Sequence, residues 1–156
     1  MSLHVVLVGP EIPWNTGNVG RTCLATGAEL HLVRPLGFSL DERRVRRAGL
    51  DYWEYVRPTV WPSWPALAPK LEEMGRPWFF SAEGDSELWQ LDLGPDSVLV
   101  FGGETTGLPT EIREIHRDRL VRLPMPGRGD GVVRSLNLST AVAVAIYEGL
   151  RQRSRG

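Results

Sequence analysis

The run Leu3-His4-Val5-Val6-Leu7-Val8, apolar at all but one position and closed by Gly9-Pro10, constrains this chain more than any other segment. A strand without polar–apolar alternation has to be covered on both faces, which is the situation of a parallel sheet between helical layers. The remaining sequence supplies such layers by alternating β-type and helical segments, so the expected class is α/β with a mostly parallel sheet. Asn15 is suited to cap a helix reaching about Thr26, with Gly27 as its stop. Leu30 to Val33 reads as a second strand closed by Pro35, and Ser39 or Asp41 as the cap of a short Arg-rich helix ending near Gly49. Tyr52 to Val56 reads as a third strand. Residues 58–69 carry Trp61 and Trp64 among prolines and read as a loop entering a helix over about 66–74. Further strands are expected at 78–80, 97–101 and 120–123, and Pro109 is placed as the first residue of a helix to about Ile115. A glycine-rich loop at 127–131 precedes one long helix from Ser135 to about Arg151. With no repeat or linker, residues 1–156 are expected to form a single domain.

Composition narrows the function classes. The apolar share of 42% and charged share of 24% are those of an ordinary globular protein. No apolar run approaches the roughly 18 residues of a membrane span, and Met1-Ser2-Leu3-His4 lacks the basic start of a signal peptide. A cytoplasmic location is expected, in keeping with a lone cysteine, Cys23. His4, His31 and His116 are scattered and match no metal spacing, so no metal site is expected. The net charge is −1, yet every basic residue except Lys70 is arginine. Arginine's planar fork suits phosphate, and codon bias accounts for the excess equally well. Arg43, Arg44, Arg46 and Arg47 form one cluster, and Arg151, Arg153 and Arg155 another.

Three polar loops follow strand ends, where parallel sheets bind ligands. The first is Asn15-Thr16-Gly17-Asn18-Val19-Gly20-Arg21. Its glycines either let backbone N–H groups approach an anion or let a helix pack closely. They lack the dinucleotide spacing, and no acidic residue follows the second strand at Val33-Arg34, which disfavours a Rossmann cofactor site. The second loop, Phe101-Gly102-Gly103-Glu104-Thr105-Thr106-Gly107-Leu108-Pro109, is too rich in glycine for a plain turn. The third runs from Leu123-Pro124-Met125-Pro126 to Arg134-Ser135-Leu136-Asn137-Leu138-Ser139, where Ser135, Asn137 or Ser139 can cap the last helix.

In this order the three loops resemble motifs one, two and three of the SPOUT superfamily of RNA 2′-O-ribose methyltransferases. Phe38, the stretch Arg46-Arg47-Ala48-Gly49-Leu50-Asp51-Tyr52-Trp53 and Ile146-Tyr147-Glu148 further resemble its TrmL (YibK-like) branch, which modifies the tRNA wobble nucleotide. The likeness spans nearly the whole chain. It implies a deep trefoil knot in the C-terminal third and a homodimer with sites at the interface. It also implies S-adenosyl-L-methionine as cofactor, S-adenosyl-L-homocysteine as product, and a tRNA anticodon loop as partner. By matching position, Phe80, Gly102, Glu104, Gly107, Leu123, Met125, Ser135 and Leu136 surround the cofactor. Asn15, Arg21, Glu104, Ser135 and Asn137 surround the reacting ribose, with Arg21 as base or as phosphate clamp. Arg43, Arg44, Arg46, Arg47 and Arg134 become phosphate contacts, and Tyr52 and Trp53 become base-stacking side chains or core. The chain departs from the branch at Thr106, where Arg is common, at Gly103, where Pro is usual, and in the glycine-rich stretch 127–133. The alternatives are the same chemistry on another tRNA position or on ribosomal RNA, and a non-catalytic knotted RNA-binding dimer.

Overall fold

The computed structural model describes residues 2–40, 51–127 and 131–154. Seven strands form one sheet: β1 (Leu3–Val8), β2 (Glu29–Val33), β3 (Thr59–Trp61), β4 (Arg76–Phe80), β5 (Ser86–Glu87), β6 (Ser97–Phe101) and β7 (Leu120–Arg122). Their spatial order is β3-β2-β1-β6-β4-β7-β5, and every pairing is parallel. The helices are α1 (Pro13–Thr26), α2 (Trp53–Val56), α3 (Trp64–Leu67), α4 (Leu71–Met74), α5 (Thr110–Ile115) and α6 (Leu138–Ser154).

β1 lies mid-sheet with Val5, Val6 and Leu7 all at 0% exposure, as its unbroken apolar run requires. Leu3, Val5 and Leu7, with Leu99 and Phe101 of β6, face Val19 and Cys23 of α1 and Val142, Ala145 and Ile146 of α6. Val6 and Val8, with Val98 and Val100, face Leu67, Leu71 and Ile112 of the shorter helices. The result is a three-layer α/β/α arrangement, with the period-2 alternation of each strand splitting the core in two.

Several elements differ from the sequence reading. α1 begins at Pro13 with Ile12 at its N-cap, so Asn15 sits inside the first turn and caps nothing. Its end is as expected: Gly27 is left-handed and donates to Cys23 O. The segment read as a strand at 52–56 is the helix α2, because its apolar residues Trp53 and Val56 sit one turn apart and both pack on Gly20. The third strand comes later, inside the expected loop, as β3 beside β2 with His31 opposite Thr59. Flanking prolines are tolerated there because β3 is an edge. The helix expected over 66–74 is divided into α3, a 3-10 turn (Ala68–Lys70) and α4, with Pro65 and Pro69 each in a first turn. Pro109 precedes α5 as its N-cap, and α6 begins at Leu138 rather than Ser135. The Arg-rich helix expected after Ser39 or Asp41 falls largely on residues 41–50, outside the described residues.

The short strand β5 has no counterpart in the sequence reading. β7 lies between β4 and β5, with Phe80 and Ser86 both in register with Val121. Residues 81–85 must therefore pass across β7 as a strap. Ser81 N–H donates to Val121 O at 2.8 Å, and Arg122 donates to Gly84 O and Asp85 O at 2.8 and 3.0 Å. A Cβ on Gly84 would lie 2.7 Å from the Val121 carbonyl carbon, so strap and strand touch backbone to backbone. Strap and strand are thus held against each other by hydrogen bonds at both ends of the crossing.

Candidate active site

The three polar loops meet at the C-terminal ends of β4, β6 and β7, beside the start of α6, around a cleft of about 640 Å³. Such a volume suits a nucleoside-sized ligand. Phe80 and Phe101 end adjacent strands and stack with ring centroids 4.4 Å apart, giving the cleft an apolar wall.

The 102–109 loop owes its course to its glycines. Gly102 packs on the backbone of Gly107 and Leu108 so closely that a Cβ would stand 2.0 Å from Gly107 C. Gly107 takes φ +69° and donates its N–H to Gly103 O at 3.0 Å. Glu104, on the bend between them, accepts the Glu11 N–H through Oε2 at 2.7 Å. Its Oε1 is buried with no partner among the described residues. A carboxylate oxygen shut from water without a donor is costly, so a ligand N–H or O–H is the natural complement. Thr105 Oγ1 donates to Glu11 at 2.6 Å and fastens the loop to the end of β1.

Asn15 is buried in α1 and accepts through Oδ1 from Asn137 Nδ2 at 3.2 Å. Asn137 Oδ1 in turn accepts from Ser139 N and Ser139 Oγ, at 3.0 and 2.6 Å, and so caps α6. First and third loops are thus joined by one pair of amides. Arg134, Ser135 and Leu136 are exposed on the cleft rim.

Of the residues named from sequence, Phe80, Gly102, Glu104 and Gly107 line the cleft, as do Leu123, Met125, Ser135 and Leu136. Asn15, Asn137 and Arg134 line it as well. Arg21 does not: it is exposed on α1, with its guanidinium over the Tyr52 ring. Tyr52 and Trp53 also stand away from the cleft, Trp53 being buried in the core. Arg43, Arg44, Arg46 and Arg47 lie outside the described residues. Sequence reasoning missed Phe101, although it immediately precedes Gly102. It also missed Arg113 of α5, which pairs with Glu83 of the strap at 2.8 Å beside the cleft. No pattern in the sequence marks that pair.

Residues 2–147 match the SpoU rRNA methylase family. The chain belongs to this family. A SpoU-family identity fits the convergence of the three loops, and close relatives agree. The chain is 47% identical, over 96% of its length and 94% of the relative's, to a tRNA (cytidine(34)-2′-O)-methyltransferase of Burkholderia ambifaria. It is 45% identical, over 96% of its length and 94% of the relative's, to the same enzyme of Saccharophagus degradans. A solved structure concerned with 2-OH methylation of C/U34 on tRNA superposes with TM-score 0.88 at 44% identity, covering 99% of this chain and 98% of that one. The SpoU methyltransferase AviRb of Streptomyces viridochromogenes, solved with AdoMet, gives TM-score 0.79 at 27% identity, covering 99% of this chain and 59% of that one. The chain is thus an RNA methyltransferase by family.

Two of the three histidines, far apart in sequence, come together in space. His4, Glu29 and His31 lie with ligating atoms within 4.8 Å of one another. The Trp61 indole N–H donates to His31 Nδ1 at 3.1 Å, which makes that atom an acceptor and leaves the proton on Nε2, facing His4 Nδ1 at 3.0 Å. Trp61, His31 and His4 thus form one hydrogen-bonded chain, with Glu29 Oε2 3.3 Å from His4 Nδ1. Burial, then the neighbouring His4, pushes the His31 imidazole down to about 4.

Proposed function

We propose that this chain transfers a methyl group from S-adenosyl-L-methionine to the ribose 2′-hydroxyl of nucleotide 34, cytidine or uridine, in the anticodon loop of a tRNA. The observation that carries the reading is the convergence of three loops, remote in sequence, on one cleft walled by Phe80 and Phe101 and edged by Glu104, Asn15 and Asn137. The names of the full-length relatives narrow the substrate to the wobble position. The cleft suits the cofactor on its own terms: it has apolar walls, a tightly folded glycine loop along one side, and a buried Glu104 oxygen with no donor among the described residues.

When bound, S-adenosyl-L-methionine supplies an activated methyl group, and the protein supplies position and charge. Phe80, Leu123, Met125 and Leu136 would hold its apolar parts, with Gly102, Gly107 and Ser135 at its polar edges. Glu104 Oε1 offers an acceptor for a hydroxyl of ligand or substrate, and the Asn15–Asn137 pair fixes the loop that carries Ser135. Arg21 is better suited to clamp a phosphate and offset developing charge on the 2′-oxygen than to act as a base, because guanidinium stays protonated.

Arg21 stands outside the cleft of its own chain. A homodimer that brings α1 of one copy to the cleft of the other would supply it. Exposed Leu24 on α1 and Tyr147 on the adjacent α6 give such a dimer apolar surface to bury. The same single domain, knotted and cytoplasmic, would then read the RNA through its dimer surface, with Arg134 and the Arg43–Arg47 cluster as phosphate contacts. Methyl transfer from labelled S-adenosyl-L-methionine to unmodified tRNA, followed by nuclease mapping, tests the proposal. Label at nucleotide 34, lost in Arg21→Ala while cofactor binding persists, is expected. Label on ribosomal RNA alone would move the substrate, and no label on any RNA would leave a binding protein.

A further inference from the structure

The geometry points to Tyr52 as a positioning residue for Arg21: its ring is the platform that holds the guanidinium in its working orientation, and it does not stack on an RNA base. The inference rests on the reading of Arg21 given above.

Tyr52 reaches across one turn of α1. Its hydroxyl donates to Gly17 O at 3.1 Å, and the Arg21 guanidinium carbon lies 5.8 Å from its ring centroid. Gly17 and Arg21 are four residues apart, so both anchor points fall on the same helix face. Burial raises the Tyr52 phenol, outweighing the pull of Arg21, so the hydroxyl keeps the proton it donates. The adjoining helix α2 is seated on the same face. A Cβ on Gly20 would stand 3.0 Å from Val56 and 3.1 Å from Trp53, so only glycine lets α2 approach this closely without a shift. Tyr52 is therefore fixed at its hydroxyl and by the seating of α2, with the Arg21 guanidinium over its ring.

Among the described residues Arg21 makes no hydrogen bond or ion pair, and its guanidinium lies over the Tyr52 ring. An exposed arginine otherwise samples many rotamers, and an aromatic face restricts them without consuming any of the N–H donors needed for a phosphate. A salt bridge would hold Arg21 as firmly but would cancel the charge the reaction uses. An aromatic platform fits the requirement better than an acidic one.

The test compares Tyr52→Phe, which keeps the ring and loses the hydroxyl, with Tyr52→Leu, which loses both. Each is measured for kcat and for KM toward tRNA, for cofactor affinity by calorimetry, and for Tm. The expected result is a kcat about three- to tenfold lower in Tyr52→Leu, with KM and cofactor affinity unchanged and most of kcat restored in Tyr52→Phe. A raised KM at unchanged kcat in Tyr52→Leu would overturn the inference in favour of base stacking. Equal losses in Phe and Leu variants, tracking Tm, would overturn it in favour of a purely structural role. Arg21→Ala in the same assay separates this inference from its foundation. If kcat survives there, the role of Arg21 fails and the inference with it; if kcat is lost there but intact in Tyr52→Leu, the inference alone fails.

Discussion

Asn137 uses the two ends of its amide on different elements: Oδ1 caps α6 and Nδ2 holds Asn15 inside α1. The two roles respond to different substitutions. Asn137→Asp keeps the capping oxygen and loses the donor, so thermal stability should hold while the first and third loops part and methyl transfer falls. Asn137→Ala removes both, and should also cost about 1 kcal/mol of stability through the lost cap. Melting curves beside initial rates distinguish the two variants. Equal activity in Asp and wild type would show that the Asn15 contact is not needed.

At the scale of elements, the strap over β7 sets the strictest demand on sequence. Gly84 meets the backbone of Val121 and Arg122 at 2.7 to 2.9 Å from where a Cβ would be, and backbone in mid-sheet has nowhere to move. Gly84→Ala should therefore misfold or lose several kcal/mol. Gly127→Ala, with nothing within 4 Å of its Cβ position, should be nearly neutral. Soluble yield and denaturant midpoints of the two variants check this, and a stable Gly84→Ala would mean that strap and strand can separate. The contrast also bears on how much the sequence reveals: both glycines sit in polar, irregular segments, and only the partner strand tells them apart.

For the whole molecule, the buried His31 couples folding to pH. Its imidazole is held down to about 4 in the folded protein against about 6.5 when unfolded. Between these values the unfolded chain binds the extra proton, so stability is complete above about pH 6.5 and declines as pH falls toward 4. The loss is bounded by one proton, at most about 1.4 kcal/mol per pH unit. Thermal melts at pH 7.5 and 5.0 should differ, and His31→Gln should reduce the difference. An unchanged difference in that variant would place the effect elsewhere. None of His4, Glu29 and His31 lines the cleft at the strand ends, so this dependence belongs to folding rather than to catalysis.

The sequence by itself determined the class of fold and most of the cleft. β1, β2, β4, β6 and β7 are legible because a buried strand must be apolar throughout its run, and that is a local property. Gly102 and Gly107 are legible because a sharply bent backbone demands glycine, and Asn137 because a helix cap demands a short polar side chain, whereas Glu104 and the remaining cleft residues were named through the family resemblance. The short helix α2 and the edge strand β3 were not, since Trp53 and Val56 follow helical spacing over a single turn and β3 takes its identity from β2 alongside. Only the tertiary structure decided what the aromatics do. Tyr52 and Trp53 read as core or as RNA-stacking until Gly17, Gly20 and Arg21, some thirty residues earlier, are seen beneath them. The passage of β7 under residues 81–85 likewise depends on strand order, and strand order is a relation between distant segments that no local pattern encodes.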